Sequence, residues 1–332
     1  MKNIFFFFSF CCFMLFSVSC SEEFLDRKPT GSVSTDEALS TTSNIASAIN
    51  GVYRALMVRY QDSQGHTGHP HMMIILDALG EDYVMGTANS AWHVNEQRWV
   101  SHRQDVSVVN EFAYQMYFRA IANLNLVLDR VGKASGIESQ KNALAGESLA
   151  LRAWCYFNLV QLYGKRYQDG GVVNSQLGVS MPLVPTIEGL PRSTVEEVYT
   201  QINADLDAAI GLLTTKRTFK SHINLRVAQG IKARVALVQG KWSVAEQFAN
   251  LARTELTLMT QAQYQEGFAD ITNPEWMWGF DHQEDQSEFF GGYHSYISCN
   301  YNSSNIRAQP KAINRVLYNQ MSLTDVRRKM WQ

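Results

Sequence analysis

Apolar positions recur at helical spacing along most of the chain, and no long alternating run of β-branched residues interrupts them. Residues 32–60 open with Ser34-Thr-Asp-Glu37, an arrangement in which hydroxyl and carboxylate satisfy the first free N–H groups of a helix. Ile45, Ala48, Ile49, Val52 and Leu56 then fall on one stripe. Residues 108–131 carry Ala113, Tyr117, Ala120, Leu124, Val127 and Val131 on one face, with Asn123 and Asn125 off it. In residues 139–163, Leu149, Ala153, Tyr156, Val160 and Tyr163 stand above one another. Leu151, Cys155, Leu159 and Leu162 widen that surface, which predicts a helix buried on two sides and stopped by Gly164.

A Gly- and Pro-containing loop follows, and Ser193-Thr-Val-Glu196 predicts the cap of a helix with the stripe Val195, Val198, Ile202, Leu206, Ala209 and Leu213. Residues 224–254 read as a helical hairpin of the tetratricopeptide kind. Val227, Ile231, Val235 and Val238 lie on one helix, the turn is Gly240-Lys241-Trp242, and an Ala-rich helix returns. No strict repeat can be aligned, so the expected fold is all-α: irregular tetratricopeptide-like helical pairs with long loops. Beyond residue 265 periodicity is lost while aromatics stay frequent, which predicts ordered, aromatic-rich loops.

The amino terminus behaves differently. Lys2, then the apolar run Ile4–Phe16, then Ser17 and Ser19 make residues 1–19 a signal segment. The run spans only about 20 Å as a helix, too short to cross a bilayer comfortably. Two readings of Cys20 stand open: a lipoprotein processing site whose thiol is acylated, or an ordinary cleaved leader with Cys20 as passenger. Position −3 is Ser17, where a lipobox usually has Leu. Cys155 and Cys299 give neither a metal spacing nor a disulfide framework, and Cys155 falls in an apolar helix as a core residue. A net charge of −2 with no basic block argues against nucleic-acid partners.

Several segments together resemble the SusD/RagB family of outer-membrane nutrient-binding lipoproteins. They are CSEEFLDRKPTGSVSTDEAL at residue 20, GESLALRAWCYFNLVQLYG with its Leu-Arg-Ala step, GVSMPLVP, then PRSTVEEVYTQINADLDAAIGLL with its Asp-Leu-x-x-Ala step. NLRVAQGIKARVALVQGKWSVAEQFANLA completes the series. The order runs from residue 20 to about 260, whereas LDALGEDYV at 76–84 is only loosely similar. SLTDVRRKMWQ resembles a segment that family members carry in the middle of their carboxy-terminal part, so the chain is expected to lack that part. The expected organisation is a signal peptide (1–19) and one SusD-like domain (20–332). The latter comprises a helical scaffold (20–260) and an aromatic loop region (261–332). The resemblance implies a lipid anchor at Cys20 and a surface-export signal in Glu22 and Glu23. It also implies a place outside the outer membrane, glycan or sometimes peptide as ligand, and a SusC-like TonB-dependent transporter as partner. No cofactor or metal is expected.

Sugar recognition needs flat apolar rings beside hydrogen-bonding groups. Candidate platforms are Trp92 and Trp99 in ANSAWHVNEQRW, and Trp276, Trp278, Tyr293 and Tyr296 in the later loops. Asn95, Gln97, Arg98, Asp281 and Gln283 are possible polar contacts. Trp154 and Trp242, on a helical stripe and a turn, are assigned to packing. His66, His69 and His71 could ligate zinc, although Gly and Pro place them on a loop that solvation explains as well. Two carboxylate clusters, Asp77/Glu81/Asp82 and Glu284/Asp285/Glu288, could serve a glycosidase only if two groups faced each other at about 5 or 6.5–9.5 Å. No Ser-hydrolase elbow, Walker loop or zincin signature occurs. The leading expectation is a non-enzymatic glycan-capturing lipoprotein. The alternatives are a surface glycoside hydrolase using one carboxylate cluster, and a tetratricopeptide-type adaptor without small ligand.

Overall fold

The computed structural model describes residues 34–61, 63–85, 93–268, 270–280, 292–297 and 311–331. Cys20, Glu22, Glu23, Trp92, Asp281, Gln283, Cys299 and the carboxylates at 284, 285 and 288 lie outside them. The architecture is predominantly helical, as the periodicity predicts. Ser34 accepts from the Glu37 N–H and starts a single turn, α1 (Thr35–Ala38). Thr41 caps α2 (Thr42–Ala55), whose Ile45, Ile49 and Val52 face the core. Then come α3 (Gly68–Leu79), β1 (Tyr83–Met85), the short α4 (Val94–Gln97) and the long α5 (Val108–Arg130).

The scaffold is built around α6 (Glu138–Tyr163). Ala150 to Phe157 are all buried there, Leu159 and Val160 follow, and Cys155 is a free, buried thiol as expected. A helix apolar on nearly every side must be covered on nearly every side. Neighbouring helices α2, α5, α7 (Val195–Leu212) and α8 (Leu225–Val238) pack around it. Gly146 lets α7's end approach, since a Cβ there would lie 2.8 Å from Leu213 Cγ. Gly164 terminates α6, and Arg192 Nη2 donates to the last-turn carbonyl of Tyr163.

Two polar nodes cross this core. Arg152 of α6 makes a two-pronged pair with Asp205 of α7 at 2.7 and 2.8 Å. It also donates to Asn125 Oδ1 of α5 and to the Leu183 carbonyl. Asn125, placed off the α5 stripe by its sequence, is therefore buried as a crosslink. Its amide and the Tyr156 hydroxyl both donate to the Pro182 carbonyl. In the second node, Glu147 Oε1 accepts from Tyr53 Oη at 2.7 Å and from the Ile223 N–H, and contacts His222 Nδ1 at 2.9 Å.

The loop after α6 carries a two-stranded antiparallel pair, β2 (Leu177–Ser180) with β3 (Arg192–Thr194). The α7 capping box is Thr194 with Glu197, not Ser193 with Glu196. Both pairs satisfy the pattern, but Glu196 instead takes the amide of Asn174 and so ties down the preceding loop. The hairpin α8/α9 (Trp242–Arg253) forms as predicted, with Gly240 at φ +69° in the turn. The α10 turn (Gln261–Glu266), α11 (Tyr293–Ile297) and α12 (Arg315–Gln320) follow. A second antiparallel pair joins β1 to β4 (Lys311–Ile313), with Tyr83 opposite Ile313.

Candidate functional site

Of the expected platform rings within the described residues, Trp99 presents the most surface, 55% of its full exposure. Its segment shows how such a ring is held. Residues His93 and Trp99 both adopt left-handed backbone, φ 68° and 58°, on either side of the single-turn helix α4. Each such non-glycine residue costs on the order of 1–3 kcal/mol and persists only where its surroundings fix it. Those surroundings are polar and buried. Nε2 of His93 lies 2.7 Å from Nε2 of His71 on α3, and Nδ1 of His93 lies 3.4 Å from the Glu96 carboxylate. For neutral rings the consistent assignment has His71 donating to His93, and His93 donating to Glu96. Burial pushes the Glu96 carboxyl upward, but hydrogen bonds from His93 and Ser101 outweigh it and hold it down at about 2. The inward face of the segment is thus anchored while Trp99 points out, its ring edge-on to His102 at 5.6 Å. Val100, Val106 and Val108 are exposed nearby, as are Asn95 and Arg98, while Gln97 is half-buried.

The other rings are placed differently. Trp278 is a staple: its Nε1 donates to the Ser221 carbonyl at 2.9 Å, and its ring stands edge-on to Trp154 at 5.4 Å. Tyr296 is buried at 1% exposure, against His71 (5.0 Å) and His93 (5.8 Å), with Lys311 over its ring. Neither face of Tyr296 is open to a sugar. Trp276 is half-buried beside Gly279, and Tyr293 is half-buried too, its hydroxyl pushed up by burial and then by Asp77.

Two sequence assignments need correction. Trp154 is buried as expected, but Trp242 is 65% exposed and packs little. It is the first residue of α9, directly after the turn that follows Val238, and its indole is left in solvent at that end of the hairpin. Its place in the turn of a helical hairpin suggested packing, and the turn instead leaves the indole outside. The three early histidines do not form a loop cluster either. His69 and His71 sit in the first turn of α3 and diverge. His69 contacts Tyr117 Oη at 2.7 Å, His71 meets His93, and His66 stacks on Phe112 at 4.8 Å. Among the described residues no group of three or more His, Cys, Asp or Glu could hold a metal ion. In the first carboxylate cluster, Asp77 is pushed up by burial and by Asp82, and the Glu81 and Asp82 carbonyls accept from Asn314.

Residues 23–237 match the SusD-like family, described as starch-binding and associating with outer membrane. The chain belongs to that family. SusD-like protein P2 of Formosa agariphila is 25% identical over 256 residues, which cover 75% of this chain and 47% of that protein. The chain spans about half the length of this curated relative. A SusD-like carbohydrate-binding protein from Bacteroides vulgatus superposes with TM-score 0.78 at 24% identity, covering 88% of this chain and 60% of its own. A laminarin-binding SusD-like protein gives TM-score 0.52 at 21% identity, over 67% and 45% respectively. The mainly helical fold that the resemblance implied is the fold observed. Carbohydrate binding is a property of this family.

Proposed function

We propose that this SusD-like chain is a non-enzymatic glycan receptor, tethered through an acylated Cys20 to the outside of the outer membrane. It captures oligosaccharide or polysaccharide and hands it to a TonB-dependent transporter. The observation that carries the capture step is Trp99, an outward ring on a left-handed backbone whose underside is fixed by the His71–His93–Glu96 chain. Such a ring keeps its orientation before ligand arrives, which lowers the ordering cost of binding. Half-buried Trp276 and Tyr293 are secondary contacts in this reading, whereas Trp278 and Tyr296 support the scaffold. The helical pairs give the rigid body against which a transporter would close.

Covering about 60 Å² of one Trp99 face with a pyranose, at about 25 cal/mol per Å², contributes about 1.5 kcal/mol, or about tenfold in Kd. Affinity gel electrophoresis of the full chain against laminarin and starch tests this. Trp99→Ala should weaken retardation about tenfold and Trp99→Phe much less. Unchanged retardation of Trp99→Ala would refute the assignment. Release of reducing sugar by the wild-type chain would refute the non-enzymatic reading.

A further inference from the structure

A cavity of about 450 Å³ opens at the foot of the α8/α9 hairpin, far in sequence from the Trp99 segment. Its volume lies in the range of small-molecule sites. One wall is the chain that leaves α6, residues Lys165 to Asp169, and the other is Leu237, Val238, Gly240 and Trp242. The first wall is rigid for identifiable reasons. Asn174, 1% exposed, donates to the carbonyls of Gln168 and Val172 and accepts the Gln168 N–H at 2.7 Å. Tyr167 stands edge-on to Tyr199 at 4.9 Å. The second wall is fixed by Gly240, whose left-handed turn packs directly on Asp169.

The chemistry of the cavity is specific. Trp242 and Leu237 leave 65% and 53% of their surfaces to solvent at its edge, an apolar platform for a ring. Lys165 and Arg166 are exposed on the opposite wall, and among the described residues neither takes part in an ion pair. Asp169 is the acidic lining residue, and its side chain is turned onto Gly240. Two cations against one carboxylate in a lining shared with an exposed indole favour a ring that carries anionic substituents, because guanidinium presents a fork matched to oxyanions.

We propose that this cavity is a second saccharide site, selective for anionic sugars whose carboxylate or sulfate groups meet Lys165 and Arg166 while the ring lies on Trp242. The choice of a saccharide rests on the receptor reading above; the preference for negative charge rests on the cavity alone. Calorimetry on the full chain with a galacturonate hexamer, a sulfated carrageenan hexamer and maltohexaose tests it and separates carboxylate from sulfate. At least one anionic hexamer should bind. Trp242→Ala and Arg166→Gln should each weaken it about tenfold, Trp242→Phe should restore most of the loss, and added NaCl should weaken it further. Far-UV circular dichroism verifies the fold of each variant. If neither anionic hexamer binds, if maltohexaose binds equally at this cavity, or if Trp242→Ala changes nothing, the inference fails. Loss of the anionic hexamer in Trp99→Ala but not in Trp242→Ala would sink the cavity and leave the receptor reading intact. The opposite pattern, with laminarin and starch unaffected by Trp99→Ala, would sink the Trp99 platform and keep the cavity.

Discussion

Replacing Asp205 by Ala removes one partner of the buried pair at the centre of the scaffold. Arg152 and Asp205 side chains are 7% and 3% exposed, so the orphaned guanidinium could not turn to water. Arg152 Nε and Nη2 would lose both carboxylate bonds, and Gln201, which donates to Asp205 Oδ1, would lose its acceptor. Breaking one side of such a pair costs about 3–5 kcal/mol. Arg152→Met leaves Asp205 buried and strips Asn125 Oδ1 and the Leu183 carbonyl of a donor, for a similar loss. The double variant Arg152→Met/Asp205→Ala buries no unpaired charge; its remaining cost is the neutral amides left short of partners, about 1–3 kcal/mol each. The two substitutions should therefore be strongly non-additive, with a coupling of at least about 2 kcal/mol. Arg152→Lys should behave like a loss, because an ammonium cannot bridge carboxylate, amide and carbonyl together. Urea unfolding followed at 222 nm supplies the four free energies of the cycle. Additive losses within about 0.5 kcal/mol would show that the pair does not act as a unit.

Acid should weaken the fold in two windows. Burial, then the Arg234 charge, lowers His69 from 6.5 to about 4. The unfolded chain therefore takes up a proton first, and stability falls between pH 6.5 and 4 by about 3 kcal/mol. Glu96, held at about 2, favours the fold above 4.5, and that contribution is lost as pH drops from 4.5 toward 2. His69→Gln should flatten the first window of a urea-midpoint profile and leave the second; an unchanged first window would contradict the assignment. Gly68→Ala should be severe, because a Cβ at φ +59° would lie 2.2 Å from the Leu56 carbonyl oxygen, backbone that cannot swing aside. Gly51→Ala, inside α2 with open space around it, should instead stabilise by about 0.5–1 kcal/mol. Thermal midpoints of the two variants shifting in the same direction would count against this contrast.

The helices were legible because each hides a continuous stripe, and a stripe is a local property of sequence. The irregular segments were legible only as pieces. Leu-Arg-Ala, Pro-Leu-Val-Pro and Asp-Leu-x-x-Ala look like unrelated fragments along the chain. In the fold they close one node: Arg152 grips Asp205 and the Leu183 carbonyl, while Tyr156 and Asn125 hold the Pro182 carbonyl. In this chain the node needs all of them at once. Asn125 could be placed off the stripe, but its crosslinking role stayed hidden for the same reason. An amide off an apolar stripe reads as solvated unless the partner from another helix is known.

The candidate site was legible in residue type and not in placement. A Trp in a polar loop can face solvent, as Trp99 does, or plug the scaffold, as Trp278 does. The difference is made by partners: Ser221 and Trp154, remote in sequence, for one ring, and beneath the other the local His93–Glu96 pair tied to distant His71. Trp242 shows the reverse failure. Its place in the turn of a helical hairpin suggested packing, but the exposure of a turn residue is set by how the flanking helices end, and here the indole is left in solvent. An exposed indole at the end of a helical pair costs solubility and contributes little to the core, so its surroundings decide how it is read. Here those surroundings are a cavity lined by two cations that form no ion pair among the described residues, with Asp169 turned onto Gly240. Trp242→Ala therefore separates the alternatives: a purely structural indole would lower the unfolding midpoint and leave sugar binding alone, whereas a ligand platform would do the opposite.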